Sequence, residues 1–165
     1  MAAARPLTWH YLYIFHRDGT PVVYREWDRP SPRDDLEWKS LFGFLFTMRM
    51  FTAAIDPSPA NGQAVPLGTP LPAGQGCGFH ACATDTYKMN VLETPTGVKV
   101  LLVTEPTSRD LRDVVWSIYR DAYVPCVKRH HASDGDGGSS SPAGGGVHGH
   151  RLDGVLRALM AAGAS

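Results

Sequence analysis

The stretch 85–104, DTYKMNVLETPTGVKVLLVT, constrains the fold of this chain more than any other. Two runs typical of strands, 87–93 and 98–103, flank the tetrapeptide TPTG. Pro95 fixes a backbone angle that suits a turn, and Gly97 readily adopts the positive φ needed where a turn ends. The stretch therefore predicts a β-hairpin, and with it an antiparallel sheet.

The two arms of this hairpin differ in polarity. In the first arm, Met89 and Val91 alternate with Lys88 and Asn90, so one face of that arm is expected to contact water. The second arm, VKVLLV, is apolar on nearly both faces. A strand of that kind is expected deeper in the sheet, covered on both sides.

A second hairpin is predicted near the start of the chain. Residues 9–15, WHYLYIF, are apolar on both faces, as in a covered central strand, and strict alternation places Trp9 on the same face as Tyr11. The Asp18-Gly19 step is a turn signal, and residues 21–27 return as the second strand.

A long helix is predicted from about Pro32 to Ile55. Ser31 is a suitable cap, and Pro32 suits the first helical position. At about 100° per residue, one apolar stripe of this helix is the expected core face. That stripe consists of Leu41, Phe44, Leu45, Met48, Phe51 and Ile55.

A second apolar stripe on this helix gives the main functional prediction. The helix is apolar over more than half of its circumference, and one sheet in a chain of 165 residues cannot cover so wide a surface. Either a second layer of the same chain or a partner subunit must cover it, and we favour a partner because no later segment is spare. The predicted partner-interface residues are Trp38, Phe42, Phe46, Arg49 and Met50.

The predicted third strand, GCGFHACAT at 76–84, contains residue types that bind metals. These are Cys77, His80 and Cys82, but on a strand Cys77 points away from the other two, so three ligands do not converge. Buried structural thiols are the better interpretation, also for Cys126. No metal-binding residues are therefore predicted.

Two helices are predicted after the hairpin. Residues 107–110, TSRD, form a capping-box pattern, and Pro125 breaks or kinks the helix that begins there. A final helix is predicted at about 148–161. The expected buried faces are Leu111, Val115, Ile118 and Ala122 in the first helix and Leu152, Val155, Leu156, Leu159 and Met160 in the second.

The order of elements is thus two strands, a long helix, three strands and two helices. It predicts an α+β fold in a single domain over 1–165, with a five-stranded antiparallel sheet sandwiched between the long first helix and two C-terminal helices. The segments at about 56–75 and 130–147, rich in Pro, Gly or Ser, are expected to be disordered or flexible loops.

Charge and composition argue against several classes of function. Sixteen Lys and Arg residues balance sixteen Asp and Glu residues, so no net charge attracts nucleic acid or an anionic membrane. The first residues lack the apolar region of a signal peptide, and no apolar run is long enough to span a bilayer. Three cysteines do not suggest a disulfide framework. A soluble cytosolic protein is expected.

Sequence motifs of catalysis are also missing. The chain has no Gly-rich phosphate loop after a strand, no nucleophile elbow and no recognisable pair of carboxylates. His80 and Cys82 are two residues apart on a strand, where they lie parallel with no third group to orient them. We expect no catalytic residues and no cofactor, with a small cysteine-dependent enzyme as the alternative.

Five segments, in order along the chain, resemble the sybindin-like small subunits of TRAPP, a multisubunit tethering and Rab-activating complex of the early secretory pathway. As a set they are most similar to the smallest core subunits of that complex. The resemblance implies a longin-like fold, in agreement with the order of elements. The segments are WHYLYIFHRDGTPVVYREW, WKSLFGFLFTMRMF, YKMNVLETPTGVKVLLVT, RDLRDVVWSIYRDAYVPCVK and HRLDGVLRALM.

The resemblance also implies a function. In that family, neighbouring subunits pack side by side, and a composite surface opens the nucleotide site of the Rab GTPase that serves transport from endoplasmic reticulum to Golgi. The expected partners are other TRAPP subunits and, through the assembled complex, this Rab GTPase, at endoplasmic reticulum and cis-Golgi membranes without insertion into them. An adaptor-complex small subunit, which shares the fold, is the alternative, although the ETPTG hairpin favours the TRAPP-like branch.

Overall fold

The computed structural model of the chain describes residues 8–29, 31–59, 62–63, 65–72, 75, 78–125 and 147–163. Within them, the chain forms five strands and three helical elements. The strands are β1 (Trp9–Phe15), β2 (Pro21–Glu26), β3 (Ala81–Ala83), β4 (Lys88–Glu93) and β5 (Lys99–Thr104). The helical elements are α1 (Glu37–Ala54), α2 (Arg112–Ser117), which continues as a π-helical segment over Ile118–Tyr123, and α3 (Val147–Gly163).

The strands form one antiparallel sheet in the order β2-β1-β5-β4-β3. The central strand is β5, and β1 lies beside it with Tyr13 opposite Leu101. All six residues of β5 are buried, as predicted for the second hairpin arm. The predicted five-stranded α+β sandwich is confirmed.

Both predicted hairpin turns are present. Gly19 has φ of 90° and Gly97 has φ of 85°, a region that glycine enters without steric cost. In the second turn, the N–H of Gly97 donates to the carbonyl of Thr94 at 2.9 Å. These turns fix the pairing of β1 with β2 and of β4 with β5.

Side chains from both faces of the sheet form apolar cores. The core on the α1 side contains Tyr13, Phe15, Leu45, Met89, Val91, Leu101 and Val103. The core on the opposite side includes the predicted buried faces of the two later helices, so those predictions are confirmed. Its helical members are Leu111, Val115, Ile118 and Ala122, with Leu152 and Leu156 of α3 and the flanking Val155, Leu159 and Met160.

One residue of β1 lies on the other face from the one predicted. The register of β1 against β5 shifts between Trp9 and Tyr11, so the strict alternation of side chains is interrupted there. Trp9 therefore packs in the core of the C-terminal helices, with its ring centroid 5.4 Å from that of Trp27. The prediction that Trp9 shares a face with Tyr11 was wrong.

The face of β4 that was expected to contact water is covered. Asn90 is buried, and its amide donates to the carbonyl of Leu102 and to Thr104 Oγ1, each at 3.2 Å. Thr104 in turn donates to Ser108 Oγ at 2.8 Å. Lys88 Nζ donates to the carbonyl of Ser108 at 2.7 Å. The two polar side chains that suggested a wet face, Lys88 and Asn90, instead donate to groups of β5 and of the segment that follows it.

Two helices begin later than predicted. Before α1, the carboxylate of Asp34 accepts the N–H of Leu36 at 3.1 Å, a local turn that competes with helix formation, so α1 begins at Glu37 and not near Pro32. Before α2, the carboxylate of Asp110 accepts the N–H of Arg112 at 3.0 Å, also a local turn, and α2 begins at Arg112. The predicted loop at 130–147 lies almost entirely outside the described residues.

Candidate partner interface

One flank of α1, next to the side that faces the sheet, is the candidate functional site, and the directions in which the side chains of the helix point define it. Leu45, Arg49 and Ala53 are the buried residues of α1. Trp38 and Phe42 are partly buried and pack against the same core. At about 100° per residue these five positions face roughly the same direction, toward the sheet. The opposite side of α1 therefore faces away from the sheet.

The predicted core stripe of α1 is only partly correct. Leu45 is buried and Leu41 packs against the core, but the side chains of Phe51 and Ile55 are 43% and 60% exposed. The helix is rotated relative to the prediction because Arg49, a charged residue, occupies a position that faces the sheet. Charge alone could not indicate this, since the partner that makes the burial possible is distant in sequence.

That partner is Glu93, the last residue of β4. Arg49 Nη1 lies 3.0 Å from Glu93 Oε1, and Lys99 Nζ lies 3.5 Å from the same oxygen. Arg49 Nη2 also donates to the carbonyl oxygens of Pro72 and Gln75. One guanidinium thus connects the middle of α1 to the β4–β5 hairpin and to the segment before β3.

The predicted interface residues occupy different environments. Phe46 is 39% exposed and Met50, one turn later, is half-buried. Trp38 and Phe42 are partly buried and pack on the core. Arg49 lies beneath the helix, where its guanidinium is bound within the chain. The structure therefore brings four of the five residues to the surface at least in part.

Phe42 also fixes the position of α1 against the first hairpin. Its ring centroid is 5.7 Å from that of Phe15, and Lys99 Nζ lies 5.2 Å from the Phe42 centroid, a cation–π contact. A side-chain carbon added at Gly19 would lie 2.9 Å from Phe42 Cε1. The aromatic ring thus fills the space that the glycine of the turn leaves open.

A second polar link, which the sequence did not indicate, anchors the first turn of α1. The carboxylate of Glu37 accepts hydrogen bonds from Arg29 Nη1 at 2.9 Å and from the Tyr13 hydroxyl at 3.2 Å. The guanidinium of Arg29 lies 4.6 Å from the centroid of Tyr11. Burial, together with the Glu37 carboxylate, raises the pKa of Tyr11 to about 12 and also raises the pKa of Tyr13.

Of the three residues considered as metal ligands, the structure describes two, Cys82 and His80. Cys82 of β3 is partly buried and lies opposite Met89 of β4, whereas His80 is exposed. Cys77 and Cys126 lie outside the described residues. In the part of the chain that the structure describes, no three His, Cys, Asp or Glu side chains are placed to hold a metal ion. No helix there has the length and apolar character needed to cross a membrane.

Comparison with known proteins gives consistent matches. The model of the Sybindin-like family matches residues 9–130 of the chain. The chain is 33% identical over 128 residues to trafficking protein particle complex subunit 1 of Bos taurus and of Homo sapiens, covering 75% of this chain and 77% of each relative. It is 30% identical over 118 residues to the protein of the same name from Dictyostelium discoideum, covering 70% of this chain and 74% of the relative.

Proposed function

Because the chain belongs to the Sybindin-like family, we propose that it is a non-catalytic core subunit of a trafficking protein particle complex, TRAPP. In that complex it works by protein–protein interaction, in vesicle tethering and in nucleotide exchange on a Rab GTPase of transport from endoplasmic reticulum to Golgi. Its direct neighbours are other TRAPP subunits. Its location is the cytoplasmic side of endoplasmic reticulum and cis-Golgi membranes, as a peripheral component.

The observation that carries this proposal is the open apolar flank of α1. Phe46 is 39% exposed, and Met50 follows it by one helical turn on the same side of α1. The remaining exposed edges of Trp38 and Phe42 extend this surface toward the start of the helix. Aromatic and Met side chains are enriched at the cores of protein interfaces, because they remove a large apolar area from water on contact.

Arg49 contributes to this interface from beneath. Its ion pair with Glu93 holds α1 against the sheet, so the exposed flank is presented by a helix in a fixed position. A surface held in place loses little conformational entropy when a partner binds, which favours affinity. We assign the proposed partner contacts to Trp38, Phe42, Phe46 and Met50, and a supporting role to Arg49.

The mechanism requires no chemistry from this chain. Nucleotide exchange on a GTPase needs contacts that favour the nucleotide-free conformation of its switch regions over the bound conformation. A rigid sheet with a helix on its surface can fix the position of neighbouring subunits and so complete a composite surface for the GTPase. The chain acts as a scaffold in this proposal.

The test is to purify the full tagged chain from its own cells and identify the bound proteins by mass spectrometry. The expected result is recovery of other TRAPP subunits in stoichiometric amounts. The purified assembly should also accelerate release of a fluorescent guanine nucleotide from an early secretory Rab GTPase. Recovery of no tethering-complex subunit would contradict the assignment.

A second arm of this test examines the surface. The Phe46→Asp variant is compared with Trp116→Asp, which alters another exposed aromatic residue, on α2 and so on the other side of the sheet. Loss of a neighbouring subunit from the first variant alone supports the α1 flank as the interface. Equal recovery from both variants shows that the contact lies elsewhere on the chain.

A further inference from the structure

A cavity of about 130 Å³ lies between α1, the end of β4 and the segment before β3. Its apolar wall includes Leu45, Phe79 and Val91, and its charged wall consists of Arg49, Glu93 and Lys99. A single buried water needs only about 10–15 Å³ of comparable space. The cavity therefore has room for a ligand of several non-hydrogen atoms.

The charges on this wall do not balance. The side chains of Arg49 and Lys99 are only 10% and 7% exposed, and that of Glu93 is 18% exposed. Glu93 is the only carboxylate among the described residues that line the cavity, against two cations. Buried charges normally have a partner of opposite sign, since removing an unpaired ion from water is energetically costly. Among the described residues of this wall, Arg49 and Lys99 share the single carboxylate of Glu93, which leaves one positive charge in excess.

Lys99 is the cation with unused hydrogen-bonding capacity. Its ammonium group has three N–H donors. In the part of the chain that the structure describes, Lys99 Nζ has one polar contact, 3.5 Å from Glu93 Oε1, which is long for a hydrogen bond. Its other neighbour is the ring of Phe42. Arg49, in contrast, already donates to Pro72 and Gln75 and pairs with Glu93.

We propose that this cavity binds one oxyanion, a phosphate or carboxylate group, through the ammonium of Lys99 with support from Arg49. The ligand would neutralise the excess positive charge and accept hydrogen bonds from the N–H groups of Lys99 that have no other acceptor among the described residues. The cavity is not fully enclosed, and two exposed residues, Gln75 and His80, are part of its lining, so a small anion can reach it from solvent. The proposal does not depend on assembly of the chain into a TRAPP complex.

Titration of the full chain with inorganic phosphate and with acetate, at an ionic strength held constant with chloride, tests this proposal by calorimetry and NMR chemical shifts. Saturable binding that moves the resonances of Lys99 and of the neighbouring Glu93 supports it. Tighter binding of phosphate assigns the site to a phosphate group, and tighter binding of acetate assigns it to a carboxylate. No saturable binding of either anion overturns the proposal.

Two substitutions change affinity in opposite directions. Lys99→Met removes the unpaired cation and is expected to weaken binding at least about tenfold, whereas Glu93→Gln removes the competing carboxylate and is expected to tighten binding about tenfold. Lys39→Met, at an exposed position of α1, is the matched control and leaves binding unchanged. If Lys99→Met does not fold, the Glu93→Gln arm still decides, because unchanged or weaker binding in that variant contradicts the site.

Discussion

Arg49 of α1 and Glu93 of β4 form an ion pair, 3.0 Å between Nη1 and Oε1, at the boundary between the long helix and the sheet. The two residues are far apart in sequence, and their side chains are only 10% and 18% exposed. The pair joins the sheet-facing side of α1, where Leu45 and Ala53 are also buried, to the end of β4. The apolar side chains on the adjacent flank of α1 remain available to a partner.

Substitution of Arg49 by Met is expected to destabilise the fold by about 3 kcal/mol, because Glu93 and Lys99 then keep a buried carboxylate and a buried ammonium with a poorer set of partners. Urea unfolding of the full chain, followed by tryptophan fluorescence, measures this change. Lys39→Met is the control, with an expected change below about 0.5 kcal/mol, since Lys39 is exposed. Equal stability of the two variants would show that the ion pair is of no consequence for folding.

Substitution of Phe46 by Ser is expected to leave the fold intact and to weaken partner binding. Phe46 is 39% exposed and outside the buried cores, so the loss in stability should stay near or below about 1 kcal/mol. A central aromatic contact in an interface is often worth about 2 kcal/mol or more. Thermal unfolding and co-purification of the neighbouring subunit measure the two effects. A variant that loses stability but still binds the neighbouring subunit as the wild type does contradicts this separation.

Substitution of Gly19 by Ala is expected to destabilise the chain through two effects that a matched variant separates. Gly19 and Gly68 have nearly the same φ, 90° and 89°, but an added carbon meets Phe42 only at Gly19. Gly68→Ala should cost about 1–2 kcal/mol from backbone strain alone. Gly19→Ala should cost roughly 1–3 kcal/mol more, from displacement of the Phe42 ring. Similar unfolding midpoints for the two variants would exclude a tight turn-to-helix contact.

Stability is expected to fall as the pH rises above about 10. Burial raises the pKa of Tyr11 to about 12 and raises that of Tyr13, so both phenols keep their protons in the folded chain at pH values where an unfolded tyrosine, with a pKa of about 10, loses its proton. The unfolded chain then binds fewer protons, and unfolding becomes easier as the pH rises.

Unfolding midpoints at pH 9 and about pH 11, with tyrosinate absorbance as a second signal, measure this alkaline loss. The Tyr11→Phe variant has no phenol to titrate at that position, so it should lose less stability than the wild type over the same range. A wild-type midpoint that does not change between the two pH values contradicts the expected effect.

The sequence predicted the parts of the fold that depend on local patterns. The hairpin around Pro95 and Gly97 follows from turn chemistry and strand alternation, and the buried face of α2 follows from helical spacing. These features are determined by residues near one another in the chain. The same reasoning located α1 and identified Phe46 as a residue on its apolar, outward side.

The predictions that failed depend on long-range pairs. Arg49 is buried because of Glu93, and Asn90 is buried because of Thr104 and Leu102, and neither partner is detectable from periodicity. Trp9 changes face because of a shift in the pairing with β5 that no property of β1 indicates. For this reason the rotation of α1, and with it the composition of the candidate interface, required the three-dimensional structure.

The pairing of β1 with β5 has a consequence for synthesis of the chain. Trp9–Phe15 is synthesised well before Lys99–Thr104, the strand with which it pairs on the side away from β2. Until β5 is available, β1 can pair with β2 along one edge only. Its other edge stays open, and an open edge on a strongly apolar strand favours aggregation. The sheet can therefore form in full only after β5 has been synthesised.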